Sequence, residues 1–382
     1  MTKANTGITR RDWIRRSTLA AVGATLLPTF PKGFSQNVSN IAPVHPELKF
    51  INLAGNENPF GPSRNVSLAI MKEVSNSCRY PFREEKILKE MIARKEGVQP
   101  ENIVLGNGCD ELLSAAGRIY GKEGSNIVAT KPTYLQLMEK AEHQGATVNW
   151  IPHTAEMKHD LESMQEAIDS NTSLVYICNP DTPTGTMRSF ESIKSFCETA
   201  GKKTTVFLDE VYLEFLENFE NETQVNLVRE GLPIIIGRSF SKMHGLAGHR
   251  IGYTIAPKEI SESLEHEKNS SLNYLGVIAA TASLRDSEFH KLSVRKITEG
   301  RNKFCGLLQE LNLSYTPSHG NFVFHYTGIP IEAFQKKMKE RNFLVGRPFP
   351  PYDLWCRISI GSPKEMELYS SAMLQVFKGK RG

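Results

Sequence analysis

Seven short apolar runs separated by helix-length stretches constrain this chain more than any other feature. The runs are Asn102–Leu105, Asn126–Thr130, Thr147–Ile151, Ser173–Cys178, Thr205–Asp209, Pro233–Gly237 and Ile251–Ile255. Each is rich in β-branched residues and bounded by turn formers, the pattern of a strand. Between them lie amphipathic segments such as Asp110–Tyr120, Tyr134–Gln144 and Phe190–Ala200, whose apolar spacing is helical. Strands joined through helices pair in parallel by right-handed crossovers. The expected fold is therefore α/β, with a large domain over residues 63–265 whose mostly parallel seven-stranded sheet is sandwiched by helices. The texture then changes. A long helical region from Ile260 to about Leu311 leads into strands at Phe322–Tyr326, Leu344–Arg347 and Cys356–Ile360 around a helix at Ile331–Arg341. This reads as a smaller α+β domain over residues 266–382, and 382 residues suffice for two cores. Residues 36–62, rich in Pro and Asn without a helical period, read as an extended N-terminal arm.

The formal charge of +4 is misleading until it is located. Residues 1–35 hold Lys3, Arg10, Arg11, Arg15, Arg16 and Lys32 against Asp12, and without them the acids outnumber the bases by one. The body thus has no electrostatic case for a nucleic-acid partner. The basic patch precedes an uncharged, mostly apolar run from Ser17 to Pro31 and small residues at Gly33 and Ser35, which is the layout of a secretory signal over residues 1–35. That run is shorter than the roughly 20 residues of a stable membrane anchor. Thr9-Arg10-Arg11-Asp12-Trp13-Ile14 resembles the twin-arginine signal, which implies folding in the cytoplasm and then export to the periplasm. Folding under reducing conditions would leave Cys78, Cys109, Cys178, Cys197, Cys305 and Cys356 as thiols.

Three polar clusters follow three of the strands. Ser239-Phe240-Ser241-Lys242 continues through a Gly-rich loop to Arg250, and the carboxyl end of a strand is where open α/β sheets bind ligands. Two hydroxyls, a lysine and an arginine can surround a phosphate, and the lysine can also act as a nucleophile; taken alone, a glycine loop with two surface bases is commonplace. Asp209-Glu210-Val211-Tyr212 puts an acid at the end of an apolar strand, either as a helix cap or as a partner to something cationic. Asn179-Pro180-Asp181-Thr182-Pro183-Thr184-Gly185 ends another strand, and by composition it is simply a turn. Three such clusters at one sheet edge outweigh coincidence.

Taken in order, Asn-Pro-x-x-Pro-Thr-Gly, Asp-Glu-x-Tyr and Ser-x-Ser-Lys with an arginine eight residues on resemble the fold-type I pyridoxal-phosphate enzymes. Within these, the chain is similar to the aminotransferases that include histidinol-phosphate aminotransferase, from about Leu53 to about Gly361. The resemblance implies the pyridoxal-phosphate-dependent transferase fold, with pyridoxal 5'-phosphate as cofactor and an amino donor and a 2-oxo acid as substrates. By the same resemblance Lys242 would carry the cofactor as a Schiff base and move the proton. Asp209 would pair with the pyridine nitrogen, which makes the ring an electron sink. Asn179 and Tyr212 would hold the phenolic oxygen, and Tyr134 would stack on the ring. The backbone of Cys109 and Asp110, at the start of a helix suited to anions, would form a phosphate cup with Ser239, Ser241 and Arg250. Tyr80 matches a tyrosine that reaches the phosphate from the partner of a homodimer. Arg357, with Arg347 as a second contact, would grip the substrate's carboxylate or phosphate, and Asn56 lies in a motif near the entrance.

Two departures bear on substrate. Thr182 stands where relatives usually have Asn, and the arm segment Ile41–Leu48 lacks the tyrosine that many histidinol-phosphate enzymes place on substrate phosphate. The stretch Pro348-Phe349-Pro350-Pro351-Tyr352 between the two arginines is short and aromatic. Two other readings remain open from the residues: the same cofactor serving a decarboxylase, lyase or racemase, and an exported solute-binding protein without catalysis.

Overall fold

The computed structural model describes residues 50–268 and 270–378. The leader expected over 1–35 and most of the expected arm lie outside them. The strands are β1 (Ile51–Asn52), β2 (Ile103–Gly106), β3 (Asn126–Lys131), β4 (Thr147–Pro152), β5 (Thr172–Cys178), β6 (Thr205–Asp209), β7 (Ile234–Ser239), β8 (Gly252–Ile255), β9 (Phe322–Tyr326), β10 (Phe343–Leu344) and β11 (Trp355–Ser359). The helices are α1 (Arg64–Glu73), α2 (Phe82–Glu96), α3 (Cys109–Tyr120), α4 (Gln136–His143), α5 (Leu161–Glu166), α6 (Phe190–Ala200), α7 (Val225–Arg229), α8 (Lys258–Glu267), α9 (Tyr274–Ser283), α10 (Ser287–Glu310), α11 (Ile331–Lys339) and α12 (Pro363–Lys378).

All seven expected strands of the large domain join one sheet, in the order β2-β8-β7-β6-β5-β3-β4. β3 to β7 are mutually parallel, while β8 runs antiparallel to both of its neighbours. The central strands are apolar on both faces because helices cover both. Alternate residues feed two cores. Ala129, Tyr176, Cys178 and Phe207 pack with Leu112, Leu113 and Leu137 of α3 and α4 on one face. Val128, Val175, Val206 and Leu208 pack with Leu88, Phe196 and Val277 on the other.

The remaining strands differ from expectation in detail. β9 and β11 pair antiparallel. β10 is two residues long and pairs in parallel with β1, at Ile51 opposite Phe343. The expected strand over Leu344–Arg347 is therefore shifted, because Gly346 donates to the Arg357 carbonyl instead and Pro348 follows. The single long helical region is three helices. Asp286 caps α10 by accepting from the Phe289 amide at 3.2 Å. Its middle member, α9, lies beyond the boundary drawn at 265 and gives Val277, Ala279 and Ala280 to the core on the sheet face.

Behind the sheet edge a fully buried ion pair ties β7 to the turn after β6. Arg238 Nη2 lies 2.7 Å from Glu210 Oε2 and 2.9 Å from the Thr223 hydroxyl. Removing one member strands the other in an apolar setting. Arg238→Met is expected to lower unfolding free energy by about 3 kcal/mol, as read from urea denaturation. A loss under about 1 kcal/mol, the worth of an exposed pair, would contradict this.

Candidate active site

The carboxyl ends of β5, β6 and β7, together with the amino terminus of α3, converge on a cavity of about 390 Å³. Parallel strands deliver their last residues to one edge. Asp209, Tyr212, Ser239, Ser241, Lys242 and Arg250 all line the cavity, as do Cys109, Asp110 and Tyr134 from across it.

Asp209 is buried. Its Oδ2 accepts from the Tyr176 hydroxyl at 2.9 Å and its Oδ1 from the Val211 amide at 3.2 Å. No cation pairs with it among the described residues. Burial pushes its carboxyl up to about 6, and the nearby Asp110 and Glu210 charges add to the rise. Lys242 Nζ donates to the Gly55 carbonyl at 3.0 Å. Burial and the Arg357 charge pull this amine down to about 8, against Asp110 and Glu57, which favour the cation. Tyr212 lies below the amine, with its ring centroid 5.8 Å from Nζ. Its hydroxyl accepts from Asn56 Nδ2 at 2.9 Å, and burial raises the phenol to about 12.

At the other end Arg250 closes on α3. Its Nη2 lies 2.8 Å from Asp110 Oδ2, and Nη1 reaches the Ser241 hydroxyl at 3.4 Å. Arg250 adopts φ 51°, and Gly108 caps α3 at φ 83°. A side chain at Gly108 would collide with the Arg250 guanidinium, so only glycine leaves this cradle open. Ser239 Oγ accepts from the Ser241 amide at 3.1 Å. The Tyr134 hydroxyl donates to Asp110 Oδ1 at 2.7 Å, which swings the ring across the cavity ahead of α4.

Five sequence candidates stand off the cavity wall, among them Asn56, which reaches it only through Tyr212. Asn179 is buried at the end of β5, with its side-chain oxygen accepting from the Arg188 amide at 2.9 Å and its Nδ2 donating to the Arg188 carbonyl at 3.2 Å. Arg357 reaches across from β11, donating to Thr182 Oγ1 at 2.9 Å and the Ala54 carbonyl at 2.8 Å. Neither partner is a carboxylate, and its Nε has no partner. Arg347 lies outside, its guanidinium 4.3 Å from the Phe349 ring centroid. Tyr80 is 68% exposed beside Phe82, itself 72% exposed. Sequence reasoning missed Tyr176 and Glu57. Tyr176 carried a faint signal, being the one hydroxyl-bearing aromatic in an aliphatic strand and on the same face as Cys178.

A family model described as aminotransferase class I and II matches residues 49–371. The chain belongs to the class I and II aminotransferases. It is 34% identical over 334 residues to a histidinol-phosphate aminotransferase of Brevibacillus brevis, covering 86% of this chain and 91% of that protein. A solved structure from Erwinia carotovora atroseptica SCRI1043 superposes with TM-score 0.83 at 31% identity, over 87% of this chain and 97% of that one. The histidinol-phosphate aminotransferase of Sinorhizobium meliloti, solved with pyridoxal-5'-phosphate, gives TM-score 0.79 at 27% identity, over 86% and 91% of the two chains.

Asp209 makes a measurable demand on ligand-free protein. In the folded chain its carboxyl keeps a proton that the unfolded chain has released, so stability falls as pH rises from about 4 through about 6. Asp209→Asn removes this penalty and is expected to be more stable than wild type at pH 8 by on the order of 2 kcal/mol. The gap should close at pH 4 in urea denaturation. A wild type more stable than the variant at pH 8 would contradict it.

Proposed function

We propose that this chain is a pyridoxal-phosphate-dependent aminotransferase that exchanges an amino group between an amino acid or amino-alcohol phosphate, of the histidinol-phosphate kind, and a 2-oxo acid. The observation that carries the reading is the pairing of a buried carboxylate without a cation, Asp209, with a half-buried amine of lowered basicity, Lys242, across one cavity. The residues present fit the cofactor. Asp209 lacks the cation that a protonated pyridine nitrogen would supply. The glycine-backed cradle of Gly108, Arg250, Ser239, Ser241 and the Cys109 and Asp110 amides suits a phosphate. When bound, the cofactor supplies an aldehyde carbon for amine exchange and an electron-withdrawing ring.

The chain's own groups divide the remaining work. Lys242 is free enough of its proton near neutral pH to attack a carbonyl carbon and to move a proton at the substrate's Cα. Asp209 would hold the ring nitrogen's positive charge. Tyr212, kept protonated by burial and oriented by Asn56, would donate toward the ring's oxygen. Asn179 fixes the adjoining turn through Arg188 and would offer its remaining amide hydrogen to the same oxygen. Tyr134 would cover the ring face. Arg357, without a carboxylate partner, offers a planar pair of donors to the substrate's anionic group. Arg347, on the other side of Phe349, adds the second charge that a phosphate-bearing substrate would use.

Two further parts of the reading concern assembly and location. Exposed Leu68, Met71, Val74, Tyr80 and Phe82 lie on α1, the following segment and the first residue of α2, an apolar surface of the kind a second subunit covers. This supports a homodimer in which Tyr80 completes the partner's site. The basic and apolar pattern of residues 1–35 supports export by the twin-arginine route.

Mixing holoenzyme with an amino donor and no acceptor tests the reaction type. One equivalent of 2-oxo product per subunit, with no further release until a 2-oxo acid is added, is expected. Lys242→Ala should form none while retaining the wild-type circular dichroism. Continuous product release from the donor alone, or carbon dioxide in place of the 2-oxo acid, would replace transamination with another reaction.

A further inference from the structure

The aromatic segment 348–352 between the two arginines leads to a buried polar cluster at the end of β4. Tyr352 Oη lies 3.1 Å from His153 Nδ1, with the two rings stacked at 6.0 Å. On the far side of that imidazole, Nε2 lies 3.1 Å from Asp181 Oδ2. The side chains of His153 and Asp181 are fully buried. The Thr184 hydroxyl donates to the same carboxylate oxygen at 2.7 Å. Burial opposes ionisation of Asp181, yet His159 and His153 hold its carboxyl below the usual range. An ionised carboxylate only accepts, so His153 carries a proton on Nε2. His159 closes the group, with Nε2 2.7 Å from the Cys178 carbonyl and Nδ1 2.7 Å from the Thr130 hydroxyl. A carbonyl also only accepts, so His159 Nε2 is protonated and has no lone pair to offer a cation. Two histidines and an aspartate lie within ligand distance of one another; here a hydrogen-bond relay runs from Tyr352 through His153 to Asp181 Oδ2, while Asp181 Oδ1 has no hydrogen-bond partner among the described residues.

Both ends of the relay reach Arg357. Asp181 is followed by Thr182, whose hydroxyl accepts from Arg357 Nη1. The Tyr352 amide donates to the Phe349 carbonyl at 2.9 Å. The Phe349 ring centroid lies 5.1 Å from the Arg357 guanidinium carbon and 4.3 Å from that of Arg347. Burial and the Asp181 charge raise the Tyr352 phenol to about 12, so its hydroxyl stays protonated through neutral pH.

We propose that Tyr352, His153 and Asp181 form a latch that ties segment 348–352 to the turn after β5, and that as positioning residues they set where Arg357 and Arg347 present their charges to the anionic end of the substrate. The latch rests on the aminotransferase reading for its kinetic consequence, whereas its existence does not.

The test compares wild-type holoenzyme with Tyr352→Phe, which keeps the ring and loses one hydroxyl at a half-exposed position. Hydrogen–deuterium exchange of peptides within 345–357 is expected to quicken about tenfold in the variant. The KM for a phosphate-bearing or dicarboxylic amino substrate should rise about tenfold, with kcat within about twofold. Asp181→Asn should shift KM in the same direction, and a purely structural tyrosine would leave KM and kcat in their original ratio. Unchanged exchange overturns the latch. Quickened exchange with unchanged KM overturns its link to the arginines. Wild-type protein that turns over no amino substrate overturns the functional reading instead, and the exchange result then decides the latch alone.

Discussion

A carboxylate buried at the end of a central strand with no cation beside it is the constraint around which this molecule is arranged. Asp209 loses hydration on folding and regains only two hydrogen bonds, from Tyr176 and Val211. Burial raises its carboxyl to about 6, so holding it ionised at neutral pH carries a cost. In the proposed reading, a cationic ring nitrogen would offset that cost. The neighbouring charges are kept apart from Asp209. Arg250 is engaged by Asp110, Arg357 by a hydroxyl and a carbonyl, and Lys242 by the Gly55 carbonyl. None of them neutralises the buried acid.

The frame that holds these groups is a parallel sheet with a packed core on each face. Alternation of side chains along β5 and β6 sends Tyr176, Cys178, Phe207 and Asp209 to one face and Val175, Ile177, Val206 and Leu208 to the other. Asp209 therefore shares a face with its hydroxyl donor. The chain's first described strand then closes the site from the opposite side. β1 pairs with β10, the Ser359 amide donates to the Leu53 carbonyl at 2.8 Å, and the Ser359 hydroxyl accepts from the Asn56 amide at 2.7 Å. Through these bonds Asn56 reaches Tyr212, Gly55 reaches Lys242, and Ala54 reaches Arg357. Residues 54–56 thus contact three of the site's polar groups by backbone or short side chains.

Much of this was legible in the sequence because burial on both faces writes itself as unbroken apolar runs. The seven central strands appear at their places for that reason, with ends displaced by a residue or two. β10 was misplaced because two residues carry no period and its partner lies nearly three hundred residues earlier. The helices α9 and α10 merged because their break rests on Asp286, a cap whose bonds to Ser63 and Asn65 come from the distant start of α1. The strand-end motifs identified the lysine, acid and tyrosine that meet at the cavity. Tyr176, Glu57 and the Tyr352–His153–Asp181 relay escaped notice, since each acquires meaning only from a neighbour supplied by the fold. Tyr80 is a candidate whose partner would come from another chain.

The most direct measurement is hydride trapping of purified protein with borohydride, followed by peptide mass mapping. One reduced pyridoxyl-phosphate adduct per chain, on Lys242, is the predicted result. An adduct on a different lysine, or none after incubation with pyridoxal phosphate, would contradict it.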